Sequence, residues 1–376
     1  RAMAAGPLSV RVGAALAGQA GGARRAVRAA AVGSAAAVVA VVAVATFGSS
    51  LDRLASHPAF YGQDFDLAAW DGYGRFEDEA ITDVLSRDPD VAAISMAADA
   101  SGVVGGREAS LLALSDMGLG PTVTAGRVPA ADDEVVLSRR LAARLGAGVG
   151  DRLGITVGES SRRYRVVGAG VLPSGTGDGV LFTLAGLRRV APDAEVGFQY
   201  VRVRPGGSTA AVDAHFQAAF GQCGVDCMTR PAPPTDVSYL DRIGNLPNLL
   251  AAALAVLGVA ATIHALVLVG RRNRRSLAAL RAVGATRAQA ARVVLVQATL
   301  VACAAAVVGV PLGWAAGRTG WRLFADDLGV VPDPTTPWLA SLGVMAALFV
   351  LAHAAAVLPS RSAARTPVAT ALREER

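Results

Sequence analysis

The fold class the sequence predicts is an α-helical membrane protein with four transmembrane helices in one-plus-three order. A large α+β extracytoplasmic domain is inserted between helix 1 and helix 2. Three observations predict it. Four long apolar runs carry no Asp, Glu or Arg (residues 29–51, 243–270, 293–317 and 334–360). Three short arginine-rich segments flank them. A single segment of about 190 residues, net acidic and mixed in pattern, separates the first run from the other three. The composition agrees: of 376 residues 53% are hydrophobic and 18% are charged, against roughly 25% charged in an ordinary soluble protein.

Each run is long enough for the roughly 20 residues a helix needs to cross a hydrocarbon core. A signal peptide has a shorter apolar core and occurs once. Buried helices of a soluble core rarely go this far without a charge on one face. Arginine placement orients the crossings. Residues 1–28 hold five Arg and no acid, and 271–292 hold seven Arg and no acid. Residues 361–376 hold four Arg and two Glu, whereas 52–242 hold 18 Arg against 25 acids. Cytoplasmic flanks of membrane helices collect cations, so both termini and 271–292 are expected inside a plasma (inner) membrane and 52–242 outside.

The expected order is a cytoplasmic basic amphipathic lead-in (1–28), transmembrane helix 1 (29–51), the extracytoplasmic domain (52–242) and transmembrane helix 2 (243–270). A cytoplasmic segment (271–292), transmembrane helix 3 (293–317), a short external loop (318–336), transmembrane helix 4 (337–360) and a cytoplasmic tail (361–376) follow. The chain starts at Arg1 rather than Met and is expected to be cut from something longer.

Within the external segment, apolar spacing predicts helices over 76–87, 139–145 and 208–220, and strands over 91–97, 133–138, 151–157, 163–171 and 199–204. All 36 cations are Arg, which excludes the P-loop lysine and Schiff-base chemistry. Three Cys and four His build no zinc ribbon. The sequence Val167-Gly168-Ala169-Gly170 follows a strand, but the third glycine of a dinucleotide loop would fall at Pro173. Gly146, Gly148 and Gly150 read as a hairpin turn. Asp64 and Asp66 lack the glycine and closing Glu of a calcium loop and read as solvated acids. His57 and His215 read as surface residues with no visible partner, and no catalytic set stands out. Cys223 and Cys227 lie on the oxidising side and are candidates for a local structural disulfide.

In the cytoplasmic segment, Arg271, Arg272, Arg274 and Arg275 end the second helix at headgroup level. Gly284 is placed as a left-handed helix terminator, and Thr286 with Gln289 fits a capping box. The result is helix, tight turn, helix. It reads either as a stiff knob able to receive a push or as an ordinary positive-inside loop. Gly309, Gly313 and Gly317 repeat every four residues and form a helix-packing stripe, toward a helix of the same chain or a second copy. Pro311 lies within the stripe. His264 and His353 are intramembrane histidines without a carboxylate partner. The runs hold no Asp, Glu or Arg, which speaks against an ion-coupled pump and for an outside energy source.

Three blocks resemble the FtsX-like permease family, the MacB/LolE-type membrane subunit of ABC transporters. The first is Thr46 to Leu54 with Tyr61-Gly62 and Asp64-Phe65-Asp66. The second is Gly126-Arg127-Val128-Pro129 with Asp133-Glu134-Val135, then Leu145-Gly146 to Gly150-Asp151. The third, RRSLAALRAVGATRAQ at 274–289, is the most specific. It pairs with a C-terminal motif carrying Pro359, Arg361, Ala364, Arg365, Pro367, Leu372 and Arg373, in which Ser362 replaces the family's second Arg.

The resemblance covers essentially the whole chain and implies a non-catalytic permease subunit. Such permeases pair as dimers on two cytoplasmic ABC ATPases, and ATP-driven motion reaches the external domain as efflux, extraction of lipids or lipoproteins, or mechanotransmission. It implies ATPase contacts at Leu280, Arg281, Val283, Gly284, Ala285, Thr286, Arg287 and Gln289. It implies no cofactor in this chain, ATP and Mg being on the partner. It also implies a second permease module, either upstream in the same chain as in two-module high-GC bacterial members or in a homodimer, and no nucleic-acid partner. The alternative is a membrane-anchored sensor or scaffold that binds a ligand or cell-wall hydrolase outside without transport.

Overall fold

The computed structural model describes residues 21–70, 76–173, 177–221, 227–233, 287–365 and, within 249–260, all but 251, 255 and 259. The chain forms two units. One comprises Arg1–Ser50, Gly244–Gly320 and Pro334–Arg376, and the other Leu51–Ile243 and Trp321–Asp333.

The described residues of the first unit are mainly helical. Helix α1 spans Gly21–Ser56, with its last turns in the other unit. Among the described residues, α1 over Ala31–Ser56 and a later helix over Ala298–Leu328 are long and apolar enough to cross a membrane. Val38, Val42 and Val310 form the buried centre, with Trp314, Val344, Met345 and Leu348 packed on it. Of the expected second membrane helix, the described residues between 249 and 260 are helical.

The second unit is α+β. In chain order it holds β1 (Leu67–Trp70), α2 (Asp78–Arg87), β2 (Val91–Val104), β3 (Arg107–Leu114) and β4 (Thr122–Gly126). Next come β5 (Glu134–Ser138), α3 (Arg139–Leu145), β6 (Arg152–Val157), β7 (Ser160–Val171) and β8 (Gly179–Thr183). The series ends with α4 (Leu184–Arg188), β9 (Val196–Val203), α5 (Thr209–Phe220) and β10 (Met228–Thr229).

The strands run β10-β1-β9-β2-β3-β8-β5-β7-β4, and β6 bridges β7 back to β2. The circuit β2-β3-β8-β5-β7-β6 therefore closes on itself as a six-stranded barrel, which leaves those strands no open edge at that seam. Strand alternation fills it: Leu111, Val135, Leu137, Tyr164, Val180 and Phe182 converge in one buried cluster. Tyr164 meets Phe182 edge-on at 5.0 Å between ring centroids, and its hydroxyl donates to Gly186 O at 2.9 Å. Outside the barrel, β9, β1 and β10 extend the sheet from β2. On one face of that extension, Ile81 and Leu85 of α2 and Val212 and Phe216 of α5 pack on Leu67, Ala69 and Val201.

Local chemistry explains the turns. The Ser138 hydroxyl accepts from Leu141 N–H and caps α3, while Gly146 closes that helix in the left-handed conformation. The glycines at 146–150 thus join a helix to a strand rather than the two strands of a hairpin. Gly168 and Gly170 let β4 approach β7. A Cβ at either would lie 2.5 Å from a backbone oxygen, of Arg127 and Thr122 respectively. That close approach explains the glycine pair that resembles a dinucleotide loop in sequence.

Helix α6 spans Arg287–Leu328 as one element with Pro311 inside it, and α7 spans Trp338–Arg365. The expected loop at 318–336 is therefore helical as far as Leu328, a correction to the sequence reading. Arg318 marks the end of the apolar run, not of the helix. The helix ends only before Gly329, whose φ is 77°. The residues from Trp321 onward belong to the second unit, where Trp321, Ala325 and Val330 are buried. There Val331 N–H donates to Phe60 O at 3.0 Å, Arg139 pairs with Asp326, and Arg53 pairs with Asp333 at 3.1 Å.

Candidate functional site

The glycine stripe of α6 lies against α1. A Cβ at Gly309 would sit 2.7 Å from Val38 Cβ, and one at Gly313 would sit 2.7 Å from Val42 Cβ. One at Gly317 would sit 2.7 Å from both Ala43 O and Thr46 Cβ. The four-residue spacing keeps the three glycines on one helix face, and the missing side chains let the two backbones touch. A Cβ at Gly258, in the second apolar run, would sit 2.5 Å from Ala37 Cβ.

Hydroxyl groups pin the same helices. Thr46 donates to Val42 O and Ser50 to Thr46 O, so each satisfies itself on the preceding turn. The Ser50 oxygen also accepts from Thr335 N–H at 3.0 Å, and Ser49 and Thr335 hydroxyls meet at 2.6 Å. On α7, Ser341 accepts from Trp314 Nε1 at 2.9 Å and donates to Pro337 O. His353 is not isolated: Nδ1 faces Phe349 O at 2.7 Å and Nε2 faces the Thr299 hydroxyl at 3.3 Å.

Of the residues to which the resemblance gives ATPase contacts, Leu280, Arg281, Val283, Gly284, Ala285 and Thr286 lie outside the described residues. Arg287 and Gln289 open the backbone of α6. His264 is outside them too. Pro359, Arg361, Ala364 and Arg365 fall on the backbone of α7, and Pro367, Leu372 and Arg373 fall beyond it. Cys227 is buried and disulfide-bonded, Cys303 is a free thiol, and Cys223 is not among the described residues.

The external unit holds a charged centre that sequence spacing did not announce. Glu134 is buried at the start of β5. Arg127 grips its two oxygens at 2.6 and 2.5 Å, Arg165 adds a contact at 2.5 Å, and Ala130 N–H donates at 3.0 Å. The Arg127 hydrogen bonds, followed by the Ala130 amide, hold the Glu134 carboxyl down at about 2. Gly126 makes the arrangement possible: its φ is 76°, and a Cβ there would lie 2.2 Å from Val167 O. The Gly126-Arg127-Val128-Pro129 and Asp133-Glu134 blocks are thus two halves of one lock. The signal that could have revealed it, Arg165 opposite Glu134, exists only once β5 and β7 are paired.

Other sequence readings also change. Asp64, its side chain half exposed, pairs with Arg202 at 3.2 Å, and Asp66 accepts from Val203 N–H at 2.8 Å, so both partly solvated acids also fasten β9. His215 has a partner, Asp88, at 2.9 Å. His57 Nδ1 faces Ser56 and Arg53 O, and its ring stacks on Phe60.

Among the described residues, two helices long and apolar enough for a bilayer are joined in one chain to a barrel-containing α+β unit. Residues 29–219 match the MacB-like periplasmic core domain and residues 248–368 match the FtsX-like permease C-terminal domain. The chain belongs to the FtsX-like, MacB-like permease family of ABC transporters.

Two solved structures are similar to it. The periplasmic region of MacB from Actinobacillus actinomycetemcomitans is 14% identical, with 51% of this chain and 97% of that one covered and a TM-score of 0.34. The extracellular domain of the noncanonic ABC-type transporter YknZ from Gram-positive bacteria is 13% identical, with 44% and 98% covered and a TM-score of 0.32. No curated protein matches.

Proposed function

We propose that this chain is the permease subunit of an ABC exporter or mechanotransmitter, in which a separate cytoplasmic ATPase drives motion of the external domain. One observation supports the coupling most directly. Helices α1 and α6 meet along the glycine seam in the membrane unit, and each continues without a break into residues that belong to the external unit. A displacement imposed on their membrane portions is carried onward by the helical backbone, whose ladder in α6 lacks one rung at Pro311.

In this reading the chain crosses the plasma membrane four times with both termini cytoplasmic. The turn around Gly284, from Leu280 to Gln289, receives the push of the ATPase. ATP and Mg are bound by that partner, and a second permease module completes the assembly. Coupling energy comes from the ATPase cycle, which is consistent with membrane runs lacking acid or arginine.

Two measurements test this. A single cysteine at Ala288, in a Cys303→Ser background, should resist a membrane-impermeant maleimide in intact cells and react after permeabilisation. Reaction in intact cells would overturn the orientation. The tagged full chain should co-purify with an ATPase whose turnover it alters, and Gly284→Val should weaken that association at least tenfold. Failure to recover any ATPase with the native chain would sink the coupling.

A further inference from the structure

The β6–β7 hairpin turns a group of arginines outward from the barrel. Alternation sets the faces. Leu153, Ile155 and Tyr164 pack into the barrel cluster, so Arg152, Gly154 and Thr156 of β6 and Arg163 and Arg165 of β7 share the outer face. Register then fixes the neighbours. Arg152 lies directly opposite Arg165, and Gly154 directly opposite Arg163. On the other flank of Arg165 stands Glu134.

Like charges placed directly across a strand pair destabilise it. Neutralisation within the chain is incomplete. Glu134 is shared between Arg127 and Arg165, so two cations meet one carboxylate. Neither Arg152 nor Arg163 forms an ion pair among the described residues. The acids nearest in sequence are engaged elsewhere: Asp151 accepts from Gly148 N–H at 2.8 Å, and Asp132 accepts from the Thr183 hydroxyl at 3.0 Å. Asp133 is exposed and pairs with no cation among the described residues. Four guanidinium groups thus share this stretch with one buried carboxylate, in a 52–242 segment whose acids outnumber its arginines by 25 to 18.

Gly154 is a second, independent observation. A glycine inside a strand weakens it. Gly168 and Gly170 have a reason within the chain, since the β4 backbone closes on them. Gly154 has no such reason: its φ is not in the left-handed region, and a Cβ there would meet no atom within 4 Å. Register runs unbroken from Arg152 to Val157, so it marks no bulge. The strand keeps an open notch between Arg152 and Arg163 that the chain does not fill. A strand glycine in such a setting admits close approach by an external group.

We infer that this notch binds a phosphate group. A phosphoryl group seated over Gly154 receives N–H donors from Arg152, Arg163 and the part of the Arg165 guanidinium that Glu134 leaves free. A tetrahedral dianion has acceptor oxygens for three guanidinium groups and balances the positive charge in excess of Glu134, whereas a single carboxylate matches one guanidinium fork. The missing side chain lets the oxyanion sink between its flanking arginines. Such a site adds a ligand to the external unit and functions whether or not an ATPase drives the helices.

The probe is inorganic pyrophosphate, titrated against the full chain in nanodiscs of zwitterionic lipid. Arginine-rich segments elsewhere also attract polyanions, so the readout must be local. Bimane on Thr156→Cys in a Cys303→Ser background supplies it, because Thr156 is two residues from Gly154 on the same face and Cys227 is held in a disulfide. A saturable fluorescence change is expected, with citrate, a carboxylate ligand of similar charge, at least fivefold weaker. Arg152→Gln and Arg163→Gln should each weaken pyrophosphate binding about tenfold. Gly154→Val keeps every charge but fills the notch with a better strand former; it should weaken binding about tenfold while thermal stability holds or rises. Arg188→Gln, an exposed arginine on α4, controls for net charge and should leave affinity within about twofold. Unchanged thermal unfolding shows that the arginine variants are folded. Competition by vesicles of phosphatidylglycerol, but not of phosphatidylcholine, would make the ligand a lipid headgroup; action of the soluble ion alone would make it a free phosphate compound. No saturable change, equal binding of citrate, or native affinity in Gly154→Val or in the folded Arg152→Gln and Arg163→Gln variants would each overturn the site.

Discussion

Backbones are brought into contact by glycine in both units, but what then holds them differs. In the membrane unit, Gly309, Gly313 and Gly317 admit α1 to van der Waals contact, and polar support among the described residues comes mainly from neutral hydroxyls such as those of Ser49, Ser50, Thr335 and Ser341. In the external unit, Gly126, Gly168 and Gly170 admit β4 to β7, and the joint is then fastened by a buried carboxylate between two guanidinium groups. The surrounding medium accounts for the contrast. Lipid is as apolar as a leucine side chain, so helices gain nothing by hiding leucine from it, and close packing of small residues is what remains. In water, burial of apolar side chains drives assembly, and charges are used where their partners can be supplied in full.

The contrast can be broken most severely at the seam. Gly313→Ile places a Cβ 2.7 Å from Val42 Cβ, with further atoms beyond it. It should cost about 3 kcal/mol by overpacking, read as a loss of thermal stability in detergent. Val42→Gly in that background should restore part of the loss. An undiminished stability of Gly313→Ile would show that the two helices do not touch there.

A smaller effect is expected from the charged lock. Arg127→Met leaves Glu134 buried with Arg165 and an amide alone and should cost about 2 kcal/mol in denaturant unfolding. Adding Glu134→Gln should recover some of it, since the carboxylate no longer requires the missing cation. If the double variant is as unstable as the sum of the two single variants, the two residues are not coupled.

The same carboxylate makes acid sensitivity a property of the external unit. Its folded value near 2 lies below the ordinary 4.5. Its contribution is therefore complete above about pH 4.5 and declines as pH falls toward 2. Unfolding midpoints from pH 6 to pH 2.5 should drop more steeply for the native chain than for Glu134→Gln. Parallel slopes would count against the lock. The smallest change is Ser50→Ala, which removes the acceptor of Thr335 N–H and should cost about 0.6 kcal/mol, the scale of a hydrogen bond inside a membrane protein.

Legibility followed exposure to a single solvent face. The 76–87, 139–145 and 208–220 helices and the strand at 151–157 show one-sided patterns, and the structure has helices or strands there. Strands β3 and β8 went unread because their burial runs on without alternating: the last four positions of β3 are all buried. Gly179–Thr183 is buried at four of its five positions, so no alternation betrays it. Strand β4 failed for the opposite reason, being an exposed edge of small residues.

The glycine stripe was visible as a spacing, and the structure identifies the chain segment it faces. The burial of Tyr200 was not visible at all. Tyr200 and Arg202 share a strand face in sequence, and only the tertiary neighbours Phe65 and Asp99 distinguish the buried one from the other.

Helix α6 has 42 residues. At roughly 1.5 Å per residue it is about 63 Å long, against about 30 Å for a hydrocarbon layer. In the four-crossing reading about half of such a rod lies outside the oily slab, and a bend of about 10° at Pro311 moves its far end, about 25 Å away, by about 4 Å. Pro311 lies between Gly309 and Gly313 and lacks the amide hydrogen that would stiffen the turn. The rod is therefore softest where its neighbour grips it and stiff where it emerges.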